Sequence, residues 1–535
     1  MTDHYPPCPF ECDVQLSKAG YYAIGGRARW FVTPETVRDL GNVLMWVRLM
    51  KLPAIVMGKG SNMLFSDENF PGVVISLGSM RRMYWISEHE LFCEAGVENT
   101  DVAKELLEAC RSGGEWLYRL PGMIGSTVRM NGRCYGHEIS EVVQSIITVT
   151  TDGTVYWHEG SSVFKGYKHT SLMERPEVVA AVVLRFETKH KPEEIRELMN
   201  SYERDRIGKH QFDYPSCGST FKNNYEAGRP SGSIFEALGF KGRQIGGARV
   251  SDHHANFIFN TGNASAADVL CLAGRMRQEA LCKDRVSLDL EVQCAGVFND
   301  SQLEPCGIAG IADGDSPGKS WAGLLWHPSM KSDDEKAETY PRTLLQGNLV
   351  DYFFRDGNFP DGIRVEIQQL VSLEEAKCNP GMPFLVWTNV CRTDNSFPYL
   401  PERPGGEYVD ELWKYSVSEL FIGKGSGNAP YLEFEMTPGR HWVALRFDDV
   451  RSRSAGYEIP SSDPWMGKLS VTGTERSFGM QLTYDLLQPF IDNDMISLQC
   501  ASSLGGGRYG LFPWWQAQTA ADFHRPDAFY RVLLT

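Results

Sequence analysis

The sequence predicts an α+β N-terminal half followed by a mostly antiparallel β-sandwich. Three observations predict this. Between about residues 19 and 297, short apolar strands alternate with segments of helical period. Between about residues 299 and 342 the chain turns to Gly, Asp, Ser and Pro, with "ADGDSPGKS" and "KSDDEKAE", which predicts a linker with some local packing around Trp321 and Trp326. From Leu344 onward, strand-like runs and frequent turns dominate and helices are few.

The elements follow in chain order. Residues 54–56 form a short apolar strand that runs into a glycine loop at 58–60, and residues 73–77 form another after the turn residues Asn69, Phe70, Pro71 and Gly72. Val102, Leu106 and Leu107 at helical spacing predict a helix over 100–110. Residues 146–156 alternate as a strand broken by the hairpin signal Asp152-Gly153. Pro192, with Glu193 and Glu194 at the positive end, opens a helix over 192–202. Ser265 is the predicted N-cap of a helix over 266–280, with Asp268 three residues on. Residues 288–292 alternate as a strand, with Leu288, Leu290 and Val292 on one face and Asp289 and Glu291 on the other. The second half offers strands at 363–368, 384–388, 418–422, 431–436, 442–447 and 478–484.

Composition bounds the function. The 535 residues carry 53 Lys+Arg against 68 Asp+Glu, a net charge of −15, which argues against a nucleic-acid partner. With 42% hydrophobic and 23% charged residues, the chain is globular rather than disordered. Its 13 cysteines are odd in number and scattered from Cys8 to Cys500, without metal spacing. They are expected to be reduced thiols, and no metal centre is expected. Residues 1–14 lack the basic and apolar regions of a secretion signal, and no apolar run reaches the roughly 20 residues that span a bilayer. The expectation is a cytoplasmic protein without a membrane partner.

Three glycine-rich stretches carry candidate chemistry. Gly58-Lys59-Gly60-Ser61-Asn62 follows a strand; its backbone N–H groups and the Ser61 and Asn62 side chains suit a phosphate, although a tight surface turn explains it equally well. Pro121, Gly122, Gly125, Ser126 and Asn131 belong to a second stretch, where small residues beside apolar ones suit backbone lying along a flat ring. Two such loops favour a dinucleotide without deciding which. The third stretch holds Ser219 after Gly218, with Lys222 and Asn223 beyond; it is not a GxSxG nucleophile elbow, and a hydroxyl proton donor is the chemistry left open. His253 and His254, adjacent on a predicted strand, point to opposite faces and make a poor metal pair.

Taken in order, residues 20–297 resemble the UDP-N-acetylenolpyruvoylglucosamine reductase family. The resemblance rests on Ile24-Gly25-Gly26, "GKGSNMLFSD" (58–67), "LPGMIGSTVRMN" with "YG" (120–136), "GYKHTS" (166–171), "PSCGSTFKN" (215–223), "GFKGRQIGGARVSDHHANFIFN" (239–260) and "LDLEV" (288–292). It implies an FAD-binding fold of the vanillyl-alcohol-oxidase type over 1–188 and a substrate domain over 189–298, then the linker 299–342 and a sandwich over 343–535. It implies NADPH as hydride donor, a UDP-sugar substrate and a role in peptidoglycan precursor synthesis. By resemblance, Ser219 is the proton donor, Glu291 the carboxylate of the final strand, and Lys168 stands where the family has an arginine. The same resemblance assigns cofactor contacts to Gly58, Lys59, Gly60, Ser61, Asn62, Pro121, Gly122, Gly125, Ser126 and Asn131, and substrate contacts to Tyr167, Lys222 and Asn223.

The chain departs from the family at several positions. Lys168 keeps the charge of arginine without its planar fork. Ser126 stands where a glycine is usual, Arg133 where a small residue is usual, and Tyr21 where a threonine is usual. More loosely, residues 343–535 are similar to family-nine-like carbohydrate-binding modules, through "ELWKYSVSELFIG" (411–423), "YLEFEMTPGRHW" (431–442) and Arg451. That resemblance makes a glycan the candidate partner of this half, while core packing is the favoured reading of Trp413 and Trp442. Two alternatives to the reductase remain open: a diverged flavin-binding protein with altered or lost activity, and another flavin oxidase or dehydrogenase. "CGS-x-F" followed by "L-D-x-E-V" argues against the latter.

Overall fold

The computed structural model of this chain describes residues 5–314, 316–330, 342–348, 350–351, 363–391, 408, 412, 417–424, 430–438, 440–449, 452–453, 468–474, 477–503, 509–512 and 529–534. The first sheet orders the strands Phe10–Gln15, Arg27–Val32, Phe70–Ser76 and Ala54–Met57, the last three parallel. Parallel neighbours need a crossover, and the helix Val37–Leu49 lies in the chain between Arg27–Val32 and Ala54–Met57. Thr36 caps this helix, with Asp39 returning the bond to the Thr36 N–H.

The predicted helices form close to their expected bounds, at Asn99–Glu108, Pro192–Gly208 and Ala266–Glu279. Ser265 caps the last, with Asp268 completing the box. Asp67, from the first glycine block, accepts from the N–H groups of Ala266 and Ala267 at 2.9 and 3.2 Å. The negative side chain at the helix start ties the two predicted reductase domains together.

Two elements differ from expectation. Residues 288–292 are not a strand. Lys222 N–H donates to Asp289 O and Glu291 N–H to Thr220 O, so this stretch ladders briefly onto the Ser219 turn before the strand Gln293–Asn299 begins. His253 and His254 are not in a strand either. The Ser251 hydroxyl accepts from both their N–H groups at 3.2 Å, which ends the strand Ala248–Val250 in a turn.

The predicted linker is folded in its first part. The strand Lys319–Ala322 pairs antiparallel with Gln293–Asn299, and Ile311–Ala312 pairs with Lys319–Ala322. The halves are also not independent. A ten-stranded sheet runs Leu469–Thr474, Ser477–Thr483, Pro383–Cys391, Ile363–Gln369, Arg342–Asn348, Val155–Glu159, Val143–Thr150, Glu177–Arg185, Glu90–Glu94 and Met83–Trp85. The crossing from one half to the other is parallel, with Val155 opposite Leu345. One apolar core includes Val43, Val47 and Val149 from the first half with Leu344, Ile367, Trp387, Phe434 and Tyr530 from the second. Tyr530 Oη donates to Gly153 O at 2.6 Å. The ring also lies over Gly41 of the helix Val37–Leu49, where a Cβ would come within 2.4 Å of Tyr530 Oη. Composition marked a linker because residues 331–341 are polar and acidic; the pairing of the flanking strands was not visible in it.

The second half carries a further antiparallel sheet, with Val417–Lys424 between Tyr431–Met436 and Met495–Ser503. Its Leu420, Ile422, Leu432 and Leu498 share the main core with Val365, Leu385 and Met480 of the ten-stranded sheet. The Ser418 hydroxyl donates to Asn389 Oδ1 at 2.6 Å, joining the two sheets.

Candidate active site

The chain encloses a cavity of about 770 Å³ between the predicted domains, a size common to ligand sites. Both glycine loops reach it: Gly58, Gly60, Ser61 and Asn62 from the first, and Pro121, Gly122, Gly125 and Ser126 from the second. The Ser61 hydroxyl donates to Pro121 O at 3.1 Å and so joins the loops. Gly60 at φ +65° and Gly122 at φ +139° adopt backbone conformations that side chains rarely tolerate. Bare backbone faces the cavity there, as an extended, phosphate-bearing dinucleotide requires, and the residues present fit FAD on that ground.

Opposite the loops, three separate stretches converge. Tyr167 and Lys168 form the turn between Phe164–Gly166 and His169–Thr170, with Lys168 at φ +53°. Lys168 Nζ donates to Glu291 Oε1 at 2.6 Å, and both side chains are 12% exposed. Ser219 stands half-buried on the cavity wall, bridged to Phe257. Asn256 fixes the turn by accepting from Phe221 N–H at 3.0 Å and donating to Phe221 O at 2.9 Å. Asn62 Nδ2 donates to Glu291 O at 2.9 Å, so the first loop also holds the backbone of Glu291. Asn223 lines the cavity, and its N–H donates to Tyr167 Oη at 3.4 Å. Burial pushes the Tyr167 hydroxyl up to about 12, so it is neutral near pH 7.

Three expected contacts lie elsewhere. Lys59 pairs with Glu98 at 2.7 Å and is not a lining residue. Lys222 also falls outside the lining; its carbonyl accepts from the Ser231 hydroxyl at 2.6 Å. Asn131 is buried away from the cavity and donates to Gly166 O at 2.9 Å, holding the hairpin that carries Tyr167 and Lys168. The resemblance placed it with the cofactor, whereas its side chain reaches across to the hairpin.

The departures find local explanations. The Ser126 hydroxyl donates to Met123 O at 2.8 Å, which satisfies it within its own turn. Arg133 lies 5.7 Å from the ring centres of both Tyr167 and Tyr225 and donates to Tyr225 Oη at 3.0 Å. This cation–π group is a feature that sequence reasoning noted only as bulk. Arg206 and His254 also line the cavity without having been singled out as site residues. Burial and the nearby Lys209 hold His254 below its usual value, favouring neutral imidazole.

In the second half, Trp442 packs on the main core and edge-on against Tyr408 at 5.5 Å, while Trp413 and Arg451 lie outside the described residues. The carboxylates of Glu419, Glu433 and Glu435 lie within 4.8 Å of one another. Burial and the neighbouring Glu433 push Glu419 well above the usual carboxylate range, so its neutral form is favoured.

This cavity, built on bare-backbone loops, belongs to a flavoprotein oxidoreductase: residues 28–158 match the FAD-binding domain model. Residues 210–295 match the model of the UDP-N-acetylenolpyruvoylglucosamine reductase C-terminal domain. Over its N-terminal half, the chain belongs to the UDP-N-acetylenolpyruvoylglucosamine reductase family. The reductase of Syntrophomonas wolfei is 31% identical over 296 residues, 55% of this chain and 98% of the relative. That of Borreliella burgdorferi is 34% identical over 278 residues, 51% of this chain and 91% of the relative. The solved reductase of Thermus caldophilus is 30% identical, with a TM-score of 0.45 over 52% of this chain and 97% of that one. No helix among the described residues is long and apolar enough to cross a membrane.

Proposed function

We propose that this chain reduces UDP-N-acetylglucosamine enolpyruvate to UDP-N-acetylmuramate with NADPH, as a cytoplasmic step of peptidoglycan precursor synthesis. The observation that supports this reading is the meeting of Ser219, Lys168 and Glu291, from three distant stretches, in the cavity lined by both glycine loops. Bound FAD would supply the two-electron chemistry that links NADPH to the terminal carbon of the enol ether.

The residues handle the charge and proton that this reduction creates. Adding hydride to the terminal carbon leaves negative charge on the neighbouring carbon and its carboxylate. The Lys168 ammonium holds that carboxylate, and Glu291 keeps the ammonium aimed through their 2.6 Å contact. The Ser219 hydroxyl gives its proton to the carbanionic carbon, and its oxygen regains one from solvent between turnovers. Tyr167, Asn223 and the Arg133 cation form the surrounding wall that orients the UDP-sugar.

Stopped-flow absorbance separates the two half-reactions. In Ser219→Ala, NADPH bleaches the flavin at the parental rate, while reoxidation by the enolpyruvyl substrate slows by roughly 10²–10⁴-fold. Equal loss in both half-reactions would make Ser219 a structural residue. A parent protein that NADPH bleaches but the substrate never reoxidises would sink the proposed reaction and leave the FAD assignment intact.

A further inference from the structure

Part of the cavity wall comes from beyond the reductase match. The family model ends at residue 295, yet Gly323, Leu324 and Leu325 line the cavity. Backbone bonds hold them there: Leu325 N–H donates to Ala54 O at 2.8 Å, and Ala54 N–H to Trp326 O at 3.0 Å. The segment thus lies antiparallel to the start of the strand Ala54–Met57. Gly323 sits at φ +66°, and a Cβ on it would come 2.1 Å from Cys294 O. The chain is therefore pressed onto the strand Gln293–Asn299 just before it enters the wall.

Position along the Ala54–Met57 strand indicates which part of the cavity this is. Ala54 stands four residues before Gly58, about 13 Å upstream along an extended strand. Glu291, with Lys168 beside it, is tied to Asn62 at the downstream end of the same loop. The phosphate-suited loop thus separates a charged end from an upstream end. At the upstream end, Leu325, Leu77, Val178 and Val56 belong to one apolar cluster. Leu324, the residue before Leu325, also lines the cavity but packs on the separate cluster of Met57, Met63 and Phe65. A dinucleotide with its reacting ring among Ser219, Lys168 and Glu291, and its phosphates on the loops, brings its second flat base to this apolar end.

We propose that Leu325, set in place by the turn at Gly323, forms part of the adenine-side wall of the FAD site, so that cofactor affinity depends on chain beyond the reductase match. The proposal rests on FAD binding and not on the reaction proposed above. Apolar contact with a flat base is non-directional and scales with the area covered, so charge at Leu325 removes it and truncation of its side chain reduces it.

The test uses the full chain stripped of flavin and titrated with FAD, ADP and FMN by equilibrium dialysis, with the unfolding midpoint measured alongside. In Leu325→Glu, affinity for FAD and ADP is expected to fall in parallel, on the order of tenfold or more, with FMN unchanged. Leu325→Ala gives a smaller loss of the same pattern, and it decides the matter if the charged variant does not fold. Unchanged FAD and ADP affinity in folded Leu325→Ala and Leu325→Glu would overturn the proposal. Equal weakening of FMN and FAD would overturn it too, because it would mean general damage to the site. A parent that binds no FAD would defeat the cofactor assignment itself, whatever the reaction.

Discussion

The two halves of the chain use the same kinds of side chain for opposite ends. In the first half, polar groups stand on turns beside a cavity: Lys168 at the tip of a hairpin, Ser219 after Gly218, and Glu291 where a short ladder gives way to a strand. In the second half, three carboxylates and several aromatics are turned inward. Glu419, Glu433 and Glu435 are buried within a sheet, and Trp387 and Tyr530 lie fully inside the core. The difference shows that chemistry gathers where regular backbone ends, because a turn can aim a side chain into a cleft while a paired strand presents it to a neighbour.

The sharpest way to break the comparison is to remove the second half. Because Leu344, Ile367 and Trp387 share a core with Val47 and Val149, a chain ending at residue 342 exposes that core. It is expected to lose its cooperative thermal transition and most of its FAD binding. A truncated chain that melts at the parental midpoint would show the halves to be separable after all.

Charge at the site comes next. Lys168→Met removes the ammonium beside Glu291; at an effective dielectric near 20, a unit pair about 4 Å apart is worth roughly 4 kcal/mol, or about a thousandfold in rate. Substrate-driven flavin reoxidation is the readout, and Lys168→Arg is expected to retain most of the rate. Parental reoxidation in Lys168→Met would mean that the cation takes no part.

A smaller effect is expected at the seam. Tyr530→Phe leaves the ring over Gly41 but strips the bond to Gly153 O, leaving a carbonyl short of a partner. The cost is about 1–3 kcal/mol, read as a lower midpoint in urea with an unchanged slope. No change would place the seam's strength in the ring contact alone.

The smallest effect is one of pH. His254 has a folded value held below that of the unfolded chain, so the unfolded state takes up a proton first as pH falls. Its contribution to stability is complete above about 6.5 and is lost as pH drops from there through the folded value. His254→Gln is expected to flatten the loss of stability across that window in unfolding curves. An identical slope in both proteins would place the titration elsewhere.

What the sequence made legible was local. The glycine loops, the Ser265 cap and the Ser219 turn depend on a few adjacent residues, and all form as expected. What it concealed depends on distant partners. Asn131 looked like a cofactor ligand by resemblance, and only the folded chain shows it holding Gly166. Arg133 stood out only as a departure from a usual small residue, and its partners Tyr167 and Tyr225 come together around it only in the fold. Trp321 and Trp326 announced local packing around Gly323, Leu324 and Leu325, but their place on the cavity wall appears only through the pairing with Ala54.

The parallel junction at Val155 and Leu345 carries a consequence for how the chain is made. During synthesis from the N-terminus, the strand Val155–Glu159 emerges long before Arg342–Asn348 exists to cover it. In that interval its outer edge displays unpaired N–H and C=O groups, a template for pairing with any neighbouring chain. The second half therefore acts as an edge guard, and crowded or rapid synthesis is when its late arrival matters most.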